Sequence, residues 1–540
     1  MSIHIQYIDA PVGAAESADV QVTAHQPFGA EKQLLSGTED VPWANLERGG
    51  WALNGASRLI PDNAQKLGWW SEQLSGDDGR FSNPPVIVIS FANEYTVDGL
   101  SFRFWPSMNQ WCSEMEVSWH RGEELIAKTV AAPNSAEWYL EYSVEYFDRI
   151  EIKLNATNSP NQFAKLQSVL VGKTEIFFSD EIIEATLLNE TDPSLCQMTV
   201  DTMTVKIRDK KNRALLPKKD QTIHLYRDGV RIAAHYIAES EQESKSVYTL
   251  RCQSAIGLLE DDYLGGMYLN APLSDLLKEI LLKIPFSIDE AFSQTLINGY
   301  LPVCTQREAL QQISFAIGAL VTTQGDGTIR LAPLESDISG KFIKADLFFG
   351  AKVKRESPVS SVKLIAHSYE KDYEEVVIFD EEVTGKNVLL TFPEPHHRYS
   401  FSGSWNNSYG ANWVQVNPDN GKSRVTITAG KYIHKQKTVT REIGNYTHAE
   451  RKNTVTIDNA TLIHTTNADS AIDRLAAFYE LNRVLEQDAV IQGQYAGQMV
   501  DSESPWGNHI AGYITGLSST FTRNGQIASV EIRGREVENL

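Results

Sequence analysis

The chain has 540 residues, 42% of them hydrophobic and 22% charged, with a formal net charge of −21. This composition is typical of a soluble globular protein of roughly three or four domains, and it excludes an intrinsically disordered chain. The excess of 70 acidic over 49 basic residues argues against tight nucleic-acid binding, which requires basic patches. Without a signal-peptide pattern or a long apolar run, the chain is expected to fold in the cytoplasm.

Residues 1–172 predict an all-β sandwich. Short alternating or apolar runs, such as PPVIVISF (84–91), YTVDGLSFRFW (95–105) and DRIEIKLNAT (148–157), are separated by turn signals. Strands at this spacing, without a long amphipathic helix, are typical of a jelly-roll or related sandwich.

Most of the eleven tryptophans lie in this first region, several in predicted loops with Asp62 and Asn63 close by. Exposed indoles beside planar polar groups suit sugar rings, whose C–H faces stack on them. One hypothesis is therefore contact with a glycan or a partner protein. The residues that would make this contact are Trp69, Trp70, Arg103, Trp105, Asn109 and Trp111. The alternative is that the tryptophans fill the core of the sandwich or a subunit interface.

Residues 173–265 continue the strand pattern, with a hairpin predicted at Arg227-Asp228-Gly229, as in an antiparallel barrel or sandwich. Residues 266–335 predict a small α/β module. PLSDLLKEILLKI (272–284) has one apolar helical face, and Thr305 with Glu308 matches the capping box of a second helix. A hairpin is predicted at Gly325-Asp326-Gly327.

Residues 336–540 predict a second β region, interrupted by one amphipathic helix at about 467–487 whose apolar face includes Leu485. Asn524-Gly525 is the predicted turn of the last hairpin. No low-complexity linker separates the regions, so we expect them to pack into one body.

No motif predicts an enzyme, a metal site or a cofactor. Phosphate-binding loops, HExxH, GxSxG and EF-hand patterns are absent from the sequence. His396 and His397 are interpreted as part of a loop surface, and acidic runs such as 370–375 as solvated faces. The four cysteines form no CxxC pair and are interpreted as small buried hydrophobic residues; they are Cys112, Cys196, Cys252 and Cys304.

Two resemblances add to this interpretation. WALNGASRLIP (51–61), VDGLSFRFWPS (97–107) and YFDRIEIKLNATNSPNQFAKLQSVLVG (146–172) resemble the galactose-binding-like, or discoidin-type, jelly-roll module. Many members of that family bind sugars or lipids and many are only structural, so the resemblance implies a fold and not a ligand.

The second resemblance is to the tail hub, or baseplate hub, proteins of long-tailed bacteriophages. EIFFSDEIIEATLLNETDPSLCQMTVDTMTVKIRD (175–209) is similar to their opening strands and acidic turn. GYLPVCTQREALQQISFAIGALVTTQGDGTIRL (299–331) is similar to their capped helix and hairpin, and residues 497–534 to their closing sheet. The resemblance covers about 175–535.

This resemblance implies a homotrimeric ring at the tail tip of a virion, assembled in the host cytoplasm. Each chain would supply two tube-like β-barrel domains, 173–265 and 336–540. The implied partners are the distal tail protein, the tail tube protein, the tape measure protein and tail fibre or tip proteins. DNA would pass during ejection without specific binding, since three chains carry three times −21, or −63.

Two other functions are alternatives to the structural hub. A receptor- or carbohydrate-binding tail protein would attach to a host surface glycan through the N-terminal sandwich. A glycan depolymerase or lyase would need a catalytic constellation, which the sequence does not contain. Some hubs carry a peptidase or muralytic domain after the hub, and none is expected here.

Overall fold

The computed structural model describes most of the chain. The described residues are 3–11, 13–24, 26, 34–35, 40–45, 47, 55, 57–59, 68–210, 217–282, 284–323, 325–444, 453–504, 506–522 and 525–537. Asp62 and Asn63, which lie close in sequence to the predicted contact residues, and the turn residue Asn524 lie outside them. Within the described ranges no helix is long and apolar enough to cross a membrane.

The protein is mainly β, as predicted. The elements of its first third are β1 (Ile3–Asp9), α1 (Ala14–Ser17), β2 (Asp19–Val22), β3 (Trp69–Leu74), β4 (Val86–Arg103), β5 (Cys112–Arg121), β6 (Glu124–Ala131), β7 (Glu137–Thr157), β8 (Phe163–Leu166) and β9 (Ser168–Val171). The next are β10 (Lys173–Phe178), β11 (Ile182–Glu190), β12 (Thr202–Arg208), β13 (Thr222–Arg227), β14 (Val230–Ser244) and β15 (Val247–Gln253).

The middle of the chain contains two of the four described α-helices. Its elements are β16 (Asp262–Tyr263), β17 (Gly266–Pro272), α2 (Leu273–Leu281), β18 (Phe286–Ile288), β19 (Leu296–Leu301), β20 (Cys304–Thr305), α3 (Gln306–Ile317), β21 (Ala319–Thr323) and β22 (Ile329–Pro333).

The last part is again mostly strands. They are β23 (Gly340–Phe342), β24 (Lys352–Arg355), β25 (Ser361–Thr384), β26 (Val388–Thr391), β27 (His396–Ser402), β28 (Ser404–Tyr409), β29 (Trp413–Pro418), β30 (Lys422–Glu442), β31 (Thr454–Ile457), α4 (Ala468–Tyr479), β32 (Arg483–Ala489), β33 (Met499–Glu503), β34 (His509–Thr522) and β35 (Gly525–Val537).

The N-terminal region is a sandwich. One six-stranded antiparallel sheet has the order β2-β4-β7-β5-β6, with β9 also on β4, and a β3–β8 pair packs over it. Trp69 from β3 and Leu166 from β8 share one core with Trp119 from β5. The strands alternate between core and solvent, so burying one face of each sheet is what holds the layers together.

A 13-stranded sheet forms the centre of the molecule, in the order β10-β1-β13-β14-β15-β12-β11-β34-β35-β32-β24, with β33 on β34 and β23 on β33. Strands β11 and β34 pair from Ala185↔Phe521 to Glu190↔Gly516. The regions predicted as two separate domains, 173–265 and 336–540, therefore share one sheet. Strand β1, predicted within the sandwich, also belongs here, because it pairs with β10 and β13.

The predicted α/β module is present. Helix α2 buries its predicted apolar face, and α3 begins with the complete capping box. The hairpin β21–β22 is antiparallel, with Thr323 opposite Ile329. The predicted Asp228-Gly229 turn also joins its two strands, with both residues at positive φ (49° and 82°), as a tight two-residue hairpin requires.

The helix predicted at about 467–487 is shorter than expected. Helix α4 ends at Tyr479, and Leu485 lies in strand β32, paired with Ile532 of β35. Residues 485–489 alternate between buried and exposed, so Leu485 contributes to the buried face of the sheet and not to the apolar face of a helix. Helix α4 packs on the module, where the Asn467 side-chain amide donates to the carbonyl of Ala316 at 3.2 Å.

His396 and His397 are not on a loop surface, as the sequence had suggested. Both are buried at the start of β27, and a Cβ on Gly430 would come within 2.6 Å of the His397 ring. The glycine lets the imidazole pack directly on the neighbouring backbone of β30. Among the described residues no three His, Cys, Asp or Glu side chains are placed to hold a metal ion.

All four cysteines are free thiols. Cys112 and Cys252 are buried, as predicted, whereas Cys196 and Cys304 are half-buried.

Removing the capping box should weaken the module measurably. The Thr305 hydroxyl accepts the N–H of Glu308 at 3.2 Å, and the Glu308 carboxylate accepts the N–H of Thr305 at 2.9 Å. Thr305→Ala is expected to cost about 1 kcal/mol in the free energy of unfolding, measured in urea. Ser274→Ala in the first turn of α2 is the control, with an expected change below about 0.5 kcal/mol. Equal losses in the two variants would show that the box contributes nothing.

Candidate interaction surfaces

Three of the six residues predicted to contact a glycan or partner are fully buried: Trp69, Trp70 and Trp105. The rings of Trp70 and Trp105 lie 5.6 Å apart at 77°, and the Trp105 indole N–H donates to the carbonyl of Val41 at 2.8 Å. An indole stacks on a sugar only through an exposed face. These three side chains lie in the interior of the sandwich, which is the place that the alternative interpretation gave them.

Trp111 and Asn109 lie nearer the surface. Trp111 is half-buried, and its indole N–H donates to the carbonyl of Pro133 at 3.1 Å. Asn109 is exposed in a left-handed turn (φ 53°), and its carbonyl accepts the Asn158 side chain at 3.0 Å. Glycan contact through these two residues stays a prediction.

Arg103 joins the sandwich to the central sheet. Its guanidinium pairs with Glu137 at 2.6 Å, donates to Gln167 at 2.6 Å and lies 5.3 Å from the ring centre of Phe178. Phe178 is the last residue of β10, an end strand of the central sheet. The Arg103 guanidinium therefore makes its contacts within the molecule. Its position near the tryptophans in sequence did not predict this role.

A buried ion pair lies behind the tryptophans. The Lys165 ammonium contacts Glu47 at 2.5 Å and lies 4.6 Å from the ring centre of Trp70. Glu47 also accepts the N–H of Phe163 at 2.7 Å and the Asn45 side chain at 2.9 Å. Burial lowers the pKa of Lys165 to about 8, and the Glu47 carboxylate opposes that shift. Glu47 and Lys165 are 118 residues apart in sequence, so no local sequence pattern could identify this ion pair.

A cleft of about 580 Å³ separates the central sheet from the module. It is lined by β11, the hairpin β21–β22 and residues 493–497, and buried Asp201 lies at its wall. The Asp201 carboxylate accepts the N–H of Glu190 at 3.1 Å. Burial raises the pKa of Asp201 to about 6, although its hydrogen bonds act in the opposite direction. The ionised form of this carboxyl therefore costs stability at neutral pH.

Asp201→Asn should stabilise the protein at pH 7. The folded pKa of about 6 exceeds the ordinary 3.8, so the folded chain binds the proton more tightly, and stability falls as pH rises from about 4 to about 6. Asparagine keeps an acceptor for Glu190 without the charge. We expect a gain of about 1–3 kcal/mol at pH 7 and almost none at pH 4, measured by urea unfolding at both values. A gain that does not depend on pH would contradict this account.

The two ends of the central sheet differ. At one end, β10 is covered by the sandwich, and the N–H of Thr174 donates to Ser101 of β4 at 2.8 Å. At the other end, β24 pairs with β32 on one side and with no further strand among the described residues. This edge leaves unpaired backbone groups that a further strand could use.

An exposed aromatic pair stands directly before this open edge. Phe348 is 49% exposed and Phe349 is fully exposed, at 106%. Gly350 follows at φ 106°, a conformation that favours glycine and ends the loop at β24. Exposing two phenyl rings beside an open strand is unfavourable in water and typical of an assembly surface. In sequence, LFFGAKVKR is indistinguishable from an ordinary strand, and we did not predict this surface.

Comparisons with known proteins give weak similarities only. No family model and no curated protein matches the chain. A tail protein from Neisseria meningitidis MC58 aligns at 12% identity and a TM-score of 0.40, over 67% of this chain and 94% of that one. The 43 kDa tail protein of prophage MuSo2 from Shewanella oneidensis aligns at 12% identity and 0.38, over 67% and 95%. Discoidin II from Dictyostelium discoideum aligns at 13% and 0.16, over 45% and 92%. Similarities of this size do not establish a shared function.

Proposed function

We propose that the protein is a structural, non-enzymatic component of a phage or phage-like tail tip, a hub that assembles as a homotrimeric ring. The observation that carries the proposal is the open edge at β24 with Phe348 and Phe349 beside it. A surface of this kind suits permanent association of identical chains, because each copy covers apolar rings and satisfies edge hydrogen bonds. The sequence resemblance to tail hubs supports the same assignment.

The ring would join the tail tube and the distal tail protein to tape measure, fibre and tip proteins. Residues 175–209 and 497–534, which carry much of the resemblance, belong to the same central sheet. The sheet is thus the element that would surround a channel. With −63 charges on three chains, an acidic channel would let DNA pass during ejection without holding it.

Mass measurement on the purified protein tests the proposal. A trimer has three times 60.3 kDa, or 180.9 kDa, and negative-stain images should show a ring with an axial channel. A mass of 60.3 kDa at all concentrations, or trimers without a channel, would contradict the hub assignment. A neutral or basic channel wall in a trimer structure would contradict passage of DNA without binding.

A further inference from the structure

A small three-stranded sheet, ordered β26-β29-β28, is formed by residues in the last third of the chain. Its inner face is closed by an apolar core that includes Val414 and Val416. Residues directly opposite each other in a sheet point to the same side. The pairings Leu389↔Gln415, Thr391↔Trp413, Ser408↔Gln415 and Trp405↔Asn417 therefore define the outer face.

A bulge in β28 creates this face. The register shifts between Trp405 and Ser408, and Asn406 in the bulge has φ 48°. Residues three apart on a regular strand point to opposite sides, but the extra residue brings Trp405 and Ser408 to the same side. Tyr409 lies on the inner side, 4.8 Å from Tyr399 between ring centres.

Aromatic and hydroxyl or amide groups alternate across the outer face. Trp405 is 58% exposed and Leu389 46%, whereas Trp413 is half-buried against Gly410. Exposed Ser408 donates to the Gln415 side chain at 3.3 Å. The face thus offers indole surfaces with hydrogen-bonding groups between them. Strand β28 is also an edge strand, with one side unpaired among the described residues.

No charged residue occurs in 404–418 or 387–393, although 22% of the chain is charged. A nucleic acid, an anionic lipid surface or an acidic polysaccharide would require basic groups here. Charged residues lie directly beside these two ranges, at Lys386, Glu394 and Asp419, so the uncharged surface is confined to the sheet itself. A neutral sugar matches it, because its C–H face stacks on an indole while its hydroxyls bond to amides and hydroxyls.

We propose that the outer face of β26-β29-β28 binds a neutral glycan. Trp405 is the stacking platform, and Ser408, Gln415 and Thr391 bond to the sugar hydroxyls. This site lies in the last third of the chain and not in the N-terminal sandwich, where sequence analysis had placed a glycan contact. The proposed glycan site does not depend on the hub assignment, since neither a trimeric ring nor an axial channel requires a glycan-binding face.

The test uses the full chain in native gels that contain dextran, mannan, galactan or β-glucan, with polygalacturonate as the anionic polymer. Neutral oligosaccharide arrays extend the panel. Wild type should be retarded by at least one neutral polymer, and Trp405→Ala should weaken that binding at least about tenfold. Trp506→Ala, which removes another exposed tryptophan, is the matched control and should bind as wild type does.

Several results would overturn the proposal. They are no binding to any neutral polymer or array glycan, retardation by polygalacturonate alone, and equal binding by Trp405→Ala and wild type. Loss of binding in Trp111→Ala but not Trp405→Ala would move the site to the sandwich. A changed particle mass in Trp405→Ala would identify the face as a contact between chains. The circular dichroism spectrum of each variant establishes that it is folded.

Discussion

Replacing Phe348 and Phe349 together with aspartate is expected to convert the proposed homotrimer into single chains. Each phenyl ring removed from water on association contributes about 2 kcal/mol, and burying the new carboxylates without partners adds a further cost. Together these effects should raise the dissociation constant by at least about a thousandfold. Mass photometry should then give 60.3 kDa in place of 180.9 kDa, three times that mass.

Both rings are exposed in the single chain, so the double variant should fold normally. Its thermal unfolding is expected to match that of wild type at concentrations where both are monomeric. Tyr373→Asp is the control, since Tyr373 is an exposed aromatic residue in β25, outside the central sheet. A double variant that keeps the trimer mass would show that the β24 edge is not the contact. If Tyr373→Asp dissociates the trimer instead, the contact lies on β25.

Glu47→Ala is expected to destabilise the N-terminal sandwich by about 3–5 kcal/mol, because it leaves a buried ammonium without its counter-charge. Both side chains of the pair are almost completely inaccessible to water. The N–H of Phe163 and the side chain of Asn45 lose their acceptor as well. Denaturant unfolding followed by tryptophan fluorescence measures the loss directly, since Trp69, Trp70 and Trp105 all lie in this region.

The defect should shrink as pH rises. The Glu47 carboxylate opposes the fall of the Lys165 pKa to about 8, so without Glu47 that pKa falls further. Between the lower pKa of the variant and about 8, the folded variant releases the buried proton and gains stability as pH rises, whereas wild type does not, so the difference between them narrows. A neutral amine in the core needs no counter-charge. Glu114→Ala is the control: its pair with Arg80 is exposed, and its loss should stay below about 1 kcal/mol. Equal losses from the two substitutions would contradict a structural role for the buried pair.

Local features were predictable from residues within a few positions of each other. The capping box of Thr305 and Glu308, the apolar face of α2 and the Asp228-Gly229 hairpin all occur as expected. In each case the chemistry that favours the structure lies inside one turn of helix or one hairpin. The mainly β composition follows similarly from repeated short alternating runs.

Long-range pairing was not predictable. Residues Ile3–Asp9 fall within the range 1–172 that was assigned to the sandwich, and only their hydrogen bonds to β10 and β13 place them in the central sheet. The β11–β34 pairing, which places strands from the ranges 173–265 and 336–540 in one sheet, joins segments more than 300 residues apart. An alternating strand carries no information about which other alternating strand it will pair with.

By itself, then, the sequence determined the mainly β character, the module with its capped helix, and the lack of recognisable catalytic motifs. Tertiary structure alone decided which residues could meet a partner. It buried Trp69, Trp70 and Trp105, engaged Arg103, and left Phe349 and Trp405 in solvent. The physical reason is that residue type sets the free energy of burying a side chain, whereas the packing of distant strands decides whether that burial occurs.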